Sequence, residues 1–481
     1  MTGLASMPPA KLAAHEAAVE RLRAAYTAVP AGVSVRLAKP TSNLFRFRDT
    51  SQQSGRVHLD VSDFTRVLHV DPQAKTAVVG GMTTYEDLAD ATLRHGLMPL
   101  VVPQLKTITL GGAVTGLGIE STSFRSGLPH ESVTELQILT GDGRVVVATP
   151  DNEHRALFHG FPNSYGTLGY SLALTIELEP VKPYVHLRHF AFTDPKACMD
   201  AIAQTAADGS YRGHHADFID GTAFGPGELY LTIGAFSDKA PWLSNYTGQK
   251  IFYQSQQAVR EDFLAISDYL WRWDTDWFWC SAPFGVQNKY VRPLWPRRYR
   301  RSDVYRKLVA LDRKHGLTAK LDARTGRPQK ESVIQDVEIP VERGAEFLDF
   351  FAREVKMTPV WICPLRLRGQ SSPGETSGVS LRAPGERPWP LYPLRSGEVY
   401  VNFGFWGMAA LPAGQGDGYY NRRIEDEVSA LGGHKSLYST SFYDEEEFRR
   451  RYNGDAYDKL KAEYDGTGRL LGLYDKCVRG R

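Results

Sequence analysis

At 481 residues the chain is about three times the usual domain length, so a single small binding module is excluded. Its 42% hydrophobic and 23% charged residues suit a globular protein and rule out wholesale disorder, collagen and coiled coil. A formal charge of +2 gives no general reason to expect a nucleic-acid partner.

The four cysteines, Cys198, Cys280, Cys363 and Cys477, include no C-x-x-C pair. That spacing argues against a disulfide framework or a zinc cluster and favours a reducing cytoplasm. No stretch reaches the roughly 20 apolar residues of a bilayer-spanning helix. Membrane contact is therefore expected only as peripheral contact, at the inner face of the cell membrane.

Residues 8–28 follow Pro8-Pro9 with Leu12, Val19, Leu22 and Tyr26 near one stripe, which predicts an amphipathic helix. Val33–Leu37, Val57–Leu59, Val67–Val70 and Ala77–Val79 predict short strands punctuated by Pro, Gly and Asp turns. Thr83-x-x-Glu86 has the form of a capping box ahead of Leu88, Ala89, Thr92 and Leu93, with Gly96 as the stop. Leu136–Leu139, the Gly141-Asp142-Gly143 turn and Val145–Val147 predict a hairpin, and Leu172–Leu178 another strand. From about residue 184 aromatic-rich strands follow, such as Tyr230–Ile233, Trp361–Leu367 and Tyr400–Phe405, with a loop-like segment over 369–390. The expected organisation is α+β: a first domain over 1–183, a second over 184–430, and a segment over 431–481 that packs back on the first or caps the second.

The most unusual stretch runs from Pro103 to Ser123, where Gly111, Gly112, Gly116 and Gly118 alternate with hydroxyl residues and one acid, Glu120. Glycine lets backbone approach a ligand closely, so such a run suits a loop around a phosphate or a flat ring. It lacks the G-x-G-x-x-G order of a Rossmann site and the Walker lysine. A second polar loop, Lys39-Pro40-Thr41-Ser42-Asn43, offers the groups that hold a pyrophosphate, and a third, Gly166-Thr167-Leu168-Gly169, leads into the Leu172–Leu178 strand. Each loop alone also fits an ordinary turn; the ordered trio is more specific.

With His95-Gly96-Leu97-Met98-Pro99 through Pro103 between the first two loops, this order resembles the flavoproteins of the vanillyl-alcohol-oxidase type, the class shared with p-cresol methylhydroxylase. Within it, Thr109–Gly112 and Gly116–Ser123 are similar to the delta-24-sterol reductase (seladin/diminuto) family. The likeness continues through Pro283-Phe284-Gly285, Gln335-Asp336, Trp361-Ile362-Cys363-Pro364, Leu437-Tyr438 and Tyr474-Asp475-Lys476. The resemblance implies a two-lobed FAD-binding domain plus an α+β substrate domain with an antiparallel sheet. It implies FAD held by Thr41, Ser42, Asn43, Gly111, Gly112, Thr115, Gly118, Ser121 and Gly169, without a covalent bond, since no Gly-His or Cys stands at the usual attachment points, and with NADPH or NADH as reductant. No metal site is expected.

Two side chains are candidate catalytic groups: Glu120, whose carboxyl in the Gly-rich loop can hold a proton if shielded, and Tyr438, a proton donor if the C-terminal segment reaches the flavin. Each has a structural alternative, Glu120 as a loop brace and Tyr438 as a buried tyrosine. His130 reads as structural. Trp271, Trp273, Trp277 and Trp279 crowd four indoles into nine positions, more than one helix face buries, so a lipid pocket or a membrane interface is expected for some of them. Residues 291–316 hold nine basic and two acidic residues, which suits anionic head groups or, equally, the acidic stretch 425–447 of the same chain.

The expected function is FAD-dependent reduction of an isolated C=C bond in a lipid by NADPH or NADH. Arginines outnumber lysines by about two to one, a hint of a GC-rich bacterial genome. Similar actinobacterial reductases act on 10-methylene-acyl phospholipids to form 10-methyl chains, which makes that lipid the preferred substrate over a sterol side chain and a methyltransferase the implied partner. An alcohol or sugar oxidase and a flavin-bound lipid-binding protein without turnover remain as alternatives.

Overall fold

The computed structural model describes residues 3–30, 32–39, 42–46, 57–248, 250–315, 328–368 and 384–480. A first helix, α1 (Pro9–Thr27), buries Ala18, Val19, Leu22 and Tyr26, and the Tyr26 hydroxyl donates to Gly141 O at 2.6 Å. Strands β1 (Val35–Ala38) and β2 (Val57–Asp60) then pair in parallel. Next come β3 (Val67–Asp71), β4 (Thr76–Gly80), β5 (Leu97–Pro99), β6 (Val133–Thr140), β7 (Val145–Ala148) and β8 (Gly169–Pro180). They form an antiparallel sheet of order β3-β4-β8-β6-β7, with β5 against β8. Strand β8 is buried over most of its length, as its apolar run and central position require.

Helix α2 (Tyr85–Leu93) starts one residue later than the capping pattern predicts. Thr83 is held extended because its carbonyl accepts from Leu110 N at 2.9 Å, so Thr84 becomes the cap and accepts from Asp87 N at 3.2 Å. That same contact docks α3 (Leu110–Gly116), the start of the Gly-rich stretch, against the first sheet.

The second sheet uses β9 (Tyr184–Phe192), β12 (Phe218–Gly225), β13 (Glu228–Ser237), β14 (Glu261–Ala265), β15 (Lys330–Pro340), β16 (Val360–Arg366), β17 (Val399–Ala410) and β18 (His434–Lys435). Its order is β14-β9-β13-β12-β16-β17-β15-β18, antiparallel throughout, while β10 (Ser210–Tyr211) and β11 (His214–His215) form a separate hairpin. The architecture is thus the expected α+β arrangement with an antiparallel second sheet. Residues 369–383 of the expected loop lie outside the described residues.

The tryptophan-rich stretch is not one helix, which is how all four indoles reach the core. A short helix, Ile266–Leu270, and a 3-10 turn, Asp274–Asp276, are followed by Trp277 (φ 45) and Phe278 (φ 59), two successive left-handed residues that reverse the chain. None of the four tryptophans is surface-exposed, so the membrane-interface expectation for them is corrected.

The two oppositely charged blocks do not neutralise each other through the ion pairs formed among the described residues. Arg292 pairs with Asp276, Arg301 clamps Glu86, and the acids find partners near by: Glu425 with Lys435, Glu447 with Arg451, Glu445 with Arg479. Short-range pairs form because a guanidinium fork needs a carboxylate within one side-chain length. The tail meets both sheets. Asp142 N donates to Tyr464 O at 3.0 Å and Lys461 Nζ to Thr167 O at 2.7 Å, while β18 adds to β15 and Phe45 N donates to Tyr438 O at 2.8 Å.

Candidate functional site

The three polar loops converge on one cavity of about 800 Å³. Ser42 and Asn43 reach it from the first loop, Gly111, Gly112, Thr115 and Gly118 from the second, and Gly166 and Gly169 from the third. Thr41 lies outside the described residues. The glycines are there for space. A Cβ on Gly111 would sit 2.2 Å from Ser171 Oγ and 2.6 Å from Gly81 O, and one on Gly112 would sit 2.8 Å from Thr109 Oγ1. Gly112 is helical, so close approach and not a left-handed backbone is what it supplies.

The donor set fits a dinucleotide carrying phosphates. Lys39 Nζ donates to Thr109 Oγ1 at 3.2 Å and has no carboxylate partner among the described residues; burial lowers its pKa to about 8. Lys476 also lines the wall, donating to Tyr165 O at 2.6 Å, its pKa lowered to about 7 by burial and then by the Arg46 charge. Arg46 stacks 4.4 Å from the Tyr165 ring centroid. Against these cations the described wall holds one carboxyl group, Asp336. Desolvated cations without matching acids are a site prepared for an anion.

The opposite wall is aromatic. Phe45 stacks on Trp277 at 5.7 Å between centroids, and Phe278 lies tilted against Trp406 at 4.3 Å, with Trp361 beside them. Set into this wall, the Tyr438 oxygen accepts from Trp406 Nε1 at 2.8 Å, and burial followed by the charge of the nearby Asp336 carboxyl raises the Tyr438 pKa. Burial pushes Asp336 up to about 7, against hydrogen bonds from Asn402 and Tyr438 and the charge of Lys435. Asp336 stands opposite Gly404 in the β15–β17 register, and a Cβ at Gly404 would lie 2.5 Å from its Oδ1. The glycine makes room for the acid. Asp336 is a candidate group that residue-by-residue reading did not single out. Its signal was the strand Val333–Ile339, where two acids, Asp336 and Glu338, fall on one face of a run rich in Val and Ile.

Glu120 and Ser121 do not line the cavity. Leu117 (φ 63) turns the chain so that Gly118 and Ile119 face inward and the next residues point to the second sheet. Glu120 Oε1 accepts from Arg272 at 2.9 Å and from Ser121 Oγ at 2.8 Å, and Arg272 also binds Asp220 at 2.6 Å. Burial raises the Glu120 pKa despite Arg272. One guanidinium between two carboxyls balances when one of them keeps a proton. The geometry therefore gives Glu120 a bracing place, the alternative to the catalytic one. His130 packs edge-on against Trp389 at 4.4 Å, consistent with its structural reading.

A glycine-lined cradle with buried cations, facing an aromatic wall that holds one acid, suits an FAD-dependent oxidoreductase. Residues 13–149 match the FAD binding domain family, a span that holds the first two loops, while the third, Gly166–Gly169, follows it. Over most of its length the chain is also similar to delta(24)-sterol reductases. It is 27% identical to that of Arabidopsis thaliana, over 88% of this chain and 77% of the relative, and 25% identical to that of Homo sapiens, over 70% and 61%. A Caenorhabditis elegans homologue matches at 25% identity over 71% of this chain and 63% of its own. The chain thus spans less than two thirds of the human and nematode proteins.

No cysteine lines the described wall, and His58 is its one histidine. Acid precipitation is expected to release FAD into the supernatant, and Gly112→Val to yield protein without flavin, because the added branch displaces Thr109 Oγ1 and with it Lys39. The ratio of visible to protein absorbance after gel filtration checks both. Flavin that stays with the precipitate would point to attachment at His58.

Replacing Arg272 with Met leaves two buried carboxyls without their cation and is expected to cost about 3–5 kcal/mol in urea unfolding. Glu120→Gln, which mimics the protonated acid, should cost less than about 1 kcal/mol and leave turnover within a few-fold of the parent. A large loss of turnover in a stable Glu120→Gln protein would return Glu120 to the catalytic role.

Proposed function

We propose that this protein reduces an isolated carbon–carbon double bond in a lipid, drawing electrons from NADPH or NADH. The observation that carries the proposal is the Asp336–Tyr438 pair, a proton-holding acid set in an aromatic wall beside the FAD cradle. A carboxyl group that keeps its proton to about pH 7 can take part in proton donation where an ordinary carboxylate cannot.

FAD, when bound, supplies hydride to carbon after a nicotinamide has reduced it. Ser42, Asn43, Gly111, Gly112, Thr115, Gly118 and Gly169, with Lys39, would hold it. An unconjugated alkene has no carbonyl to stabilise negative charge, so a proton goes to its less substituted carbon and the other carbon gains tertiary-cation character. The faces of Trp277, Phe278 and Trp361 suit that charge and exclude water. Tyr438 is the donor and Asp336 orients it. With Asp336 neutral, its O–H donates to the phenol oxygen and the phenol proton is free to face the cavity. With Asp336 ionised, the phenol proton turns to the carboxylate instead.

Within lipids we favour a 10-methylene-acyl phospholipid, reduced to its 10-methyl form in concert with a methyltransferase, over the sterol side chain that the relatives' name describes. Support for this choice is the arginine-rich composition and the likeness to actinobacterial reductases. Both alkenes share a carbon bearing two alkyl groups, as the protonation order requires.

Anaerobic mixing with NADPH should bleach the flavin band, and adding the lipid alkene should restore it. Bleaching only by an alcohol would establish oxidation, and no response to either would leave a flavin-bound binding protein. Turnover should fall as pH rises through about 7, where Asp336 gives up its proton. Asp336→Asn should lose this limb. Tyr438→Phe should lower alkene reduction about 10²–10⁴-fold while NADPH still bleaches the flavin. An unchanged pH profile in Asp336→Asn would remove Asp336 from the proton path.

A further inference from the structure

The arginines of the basic stretch divide into two sets. Arg292 is buried and binds Asp276 through both nitrogens, at 2.7 and 2.9 Å, and Lys250 O at 3.0 Å. Arg300 is buried too, donating to the carbonyls of Gly248, Arg292 and Trp295. These two pin residues 292–300 from below. Above them the surface is both apolar and cationic. Leu294 is 83% exposed and Tyr290 73%, and Val291 and Tyr299 are exposed as well. Lys289, Arg297 and Arg298 are exposed between them, and residues 289–299 contain no acid. Lys289 Nζ lies 5.0 Å from the Tyr290 ring centroid and the Arg298 guanidinium 4.8 Å from that of Tyr299.

Single exposed apolar residues are ordinary. Four within ten residues, held outward by a buried arginine scaffold, are not explained by the fold, since the stretch would gain solubility by replacing Leu294 with a polar residue. Exposed tyrosines beside cations are the combination that suits the boundary of a charged bilayer: rings at the head-group level, cations on the phosphates. A protein partner would have to pair acids with an apolar pocket at matching positions, whereas an anionic bilayer supplies both charge and apolar depth everywhere along its surface. The stretch also adjoins the site. Asp276, the partner of Arg292, is followed directly by Trp277 and Phe278 of the cavity wall.

We propose that residues 289–299 form a docking surface for an anionic lipid bilayer, inserting Tyr290, Leu294 and Tyr299 among head groups that Lys289, Arg297 and Arg298 contact. The purpose assigned to it, access to a membrane-borne substrate, rests on the lipid reading above; the binding itself does not. Arg301, engaged with Glu86, is not part of the surface.

Co-sedimentation of the FAD-loaded protein with vesicles tests this without turnover, so it stands or fails separately from alkene reduction. The parent should bind vesicles containing phosphatidylglycerol and bind neutral phosphatidylcholine vesicles at least tenfold more weakly at low salt. Arg297→Glu with Arg298→Glu should weaken anionic binding about tenfold or more, chiefly at low salt. Tyr290→Ser with Leu294→Ser should weaken it at both low and high salt, with the flavin spectrum and NADPH-driven bleaching unchanged in both variants. Absence of binding by the parent, or binding unaltered in both variants, overturns the proposal. So does a concentration-dependent dimer in ultracentrifugation that Leu294→Ser dissolves without vesicles, because the patch would then be a contact between copies of this chain.

Discussion

The two walls of the cavity come from different sheets, and one buried ionic joint sets the distance between them. Arg272 reaches Glu120, next to the Gly118–Ile119 segment of the first wall, and Asp220 on β12, whose neighbour β16 carries Trp361 of the second. Arg272 also lies five residues before Trp277. Apolar packing alone leaves two sheets free to slide, whereas a fork that must satisfy two carboxyls admits one register. Burial raises the Glu120 pKa, and the Tyr269 ring, whose centroid lies 3.9 Å from the guanidinium carbon, covers the cation.

The tail completes the same enclosure from the other side. Phe45 N donates to Tyr438 O, so the early polar loop and Tyr438 are fixed to each other across almost the whole chain. Arg46 adds two contacts to the Leu437 carbonyl, at 2.9 and 2.5 Å. A change in the early loop is thus transmitted to Tyr438 through two or three bonds, with no need for movement of either sheet.

What was legible beforehand follows the range of the interactions. The strands of the first sheet and α1 were readable because alternation and a 3.6-residue stripe are local, and the three loops because glycines and hydroxyls in order have few other uses. The start of α2 was misplaced by one residue because Leu110, 27 positions away, holds the Thr83 carbonyl. Glu120 looked catalytic from its neighbours, yet its direction is set by Leu117 in a left-handed conformation that no local pattern announces for a leucine. Asp336 was overlooked because its importance comes from a glycine on the adjoining strand and a tyrosine a hundred residues later.

The fate of the basic stretch shows why net charge is a poor guide to a surface. Nine cations in 291–316 suggested one electrostatic face. Instead Arg292, Arg300 and Arg301 are consumed by carboxylates and carbonyls of the fold, and only part of the charge reaches solvent. The inward set has a geometric consequence that the outward set exploits. Arg292 and Arg300 turn inward on either side of Leu294, which stays exposed, as does Tyr290 just before them, while Trp295 packs against the core. Exposure of that kind is maintained by ionic anchoring and would persist in any mutant that keeps Arg292 and Asp276. The same anchor ends at Trp277, so the segment that faces outward and the aromatic wall that faces the cavity are two ends of one rigid connection.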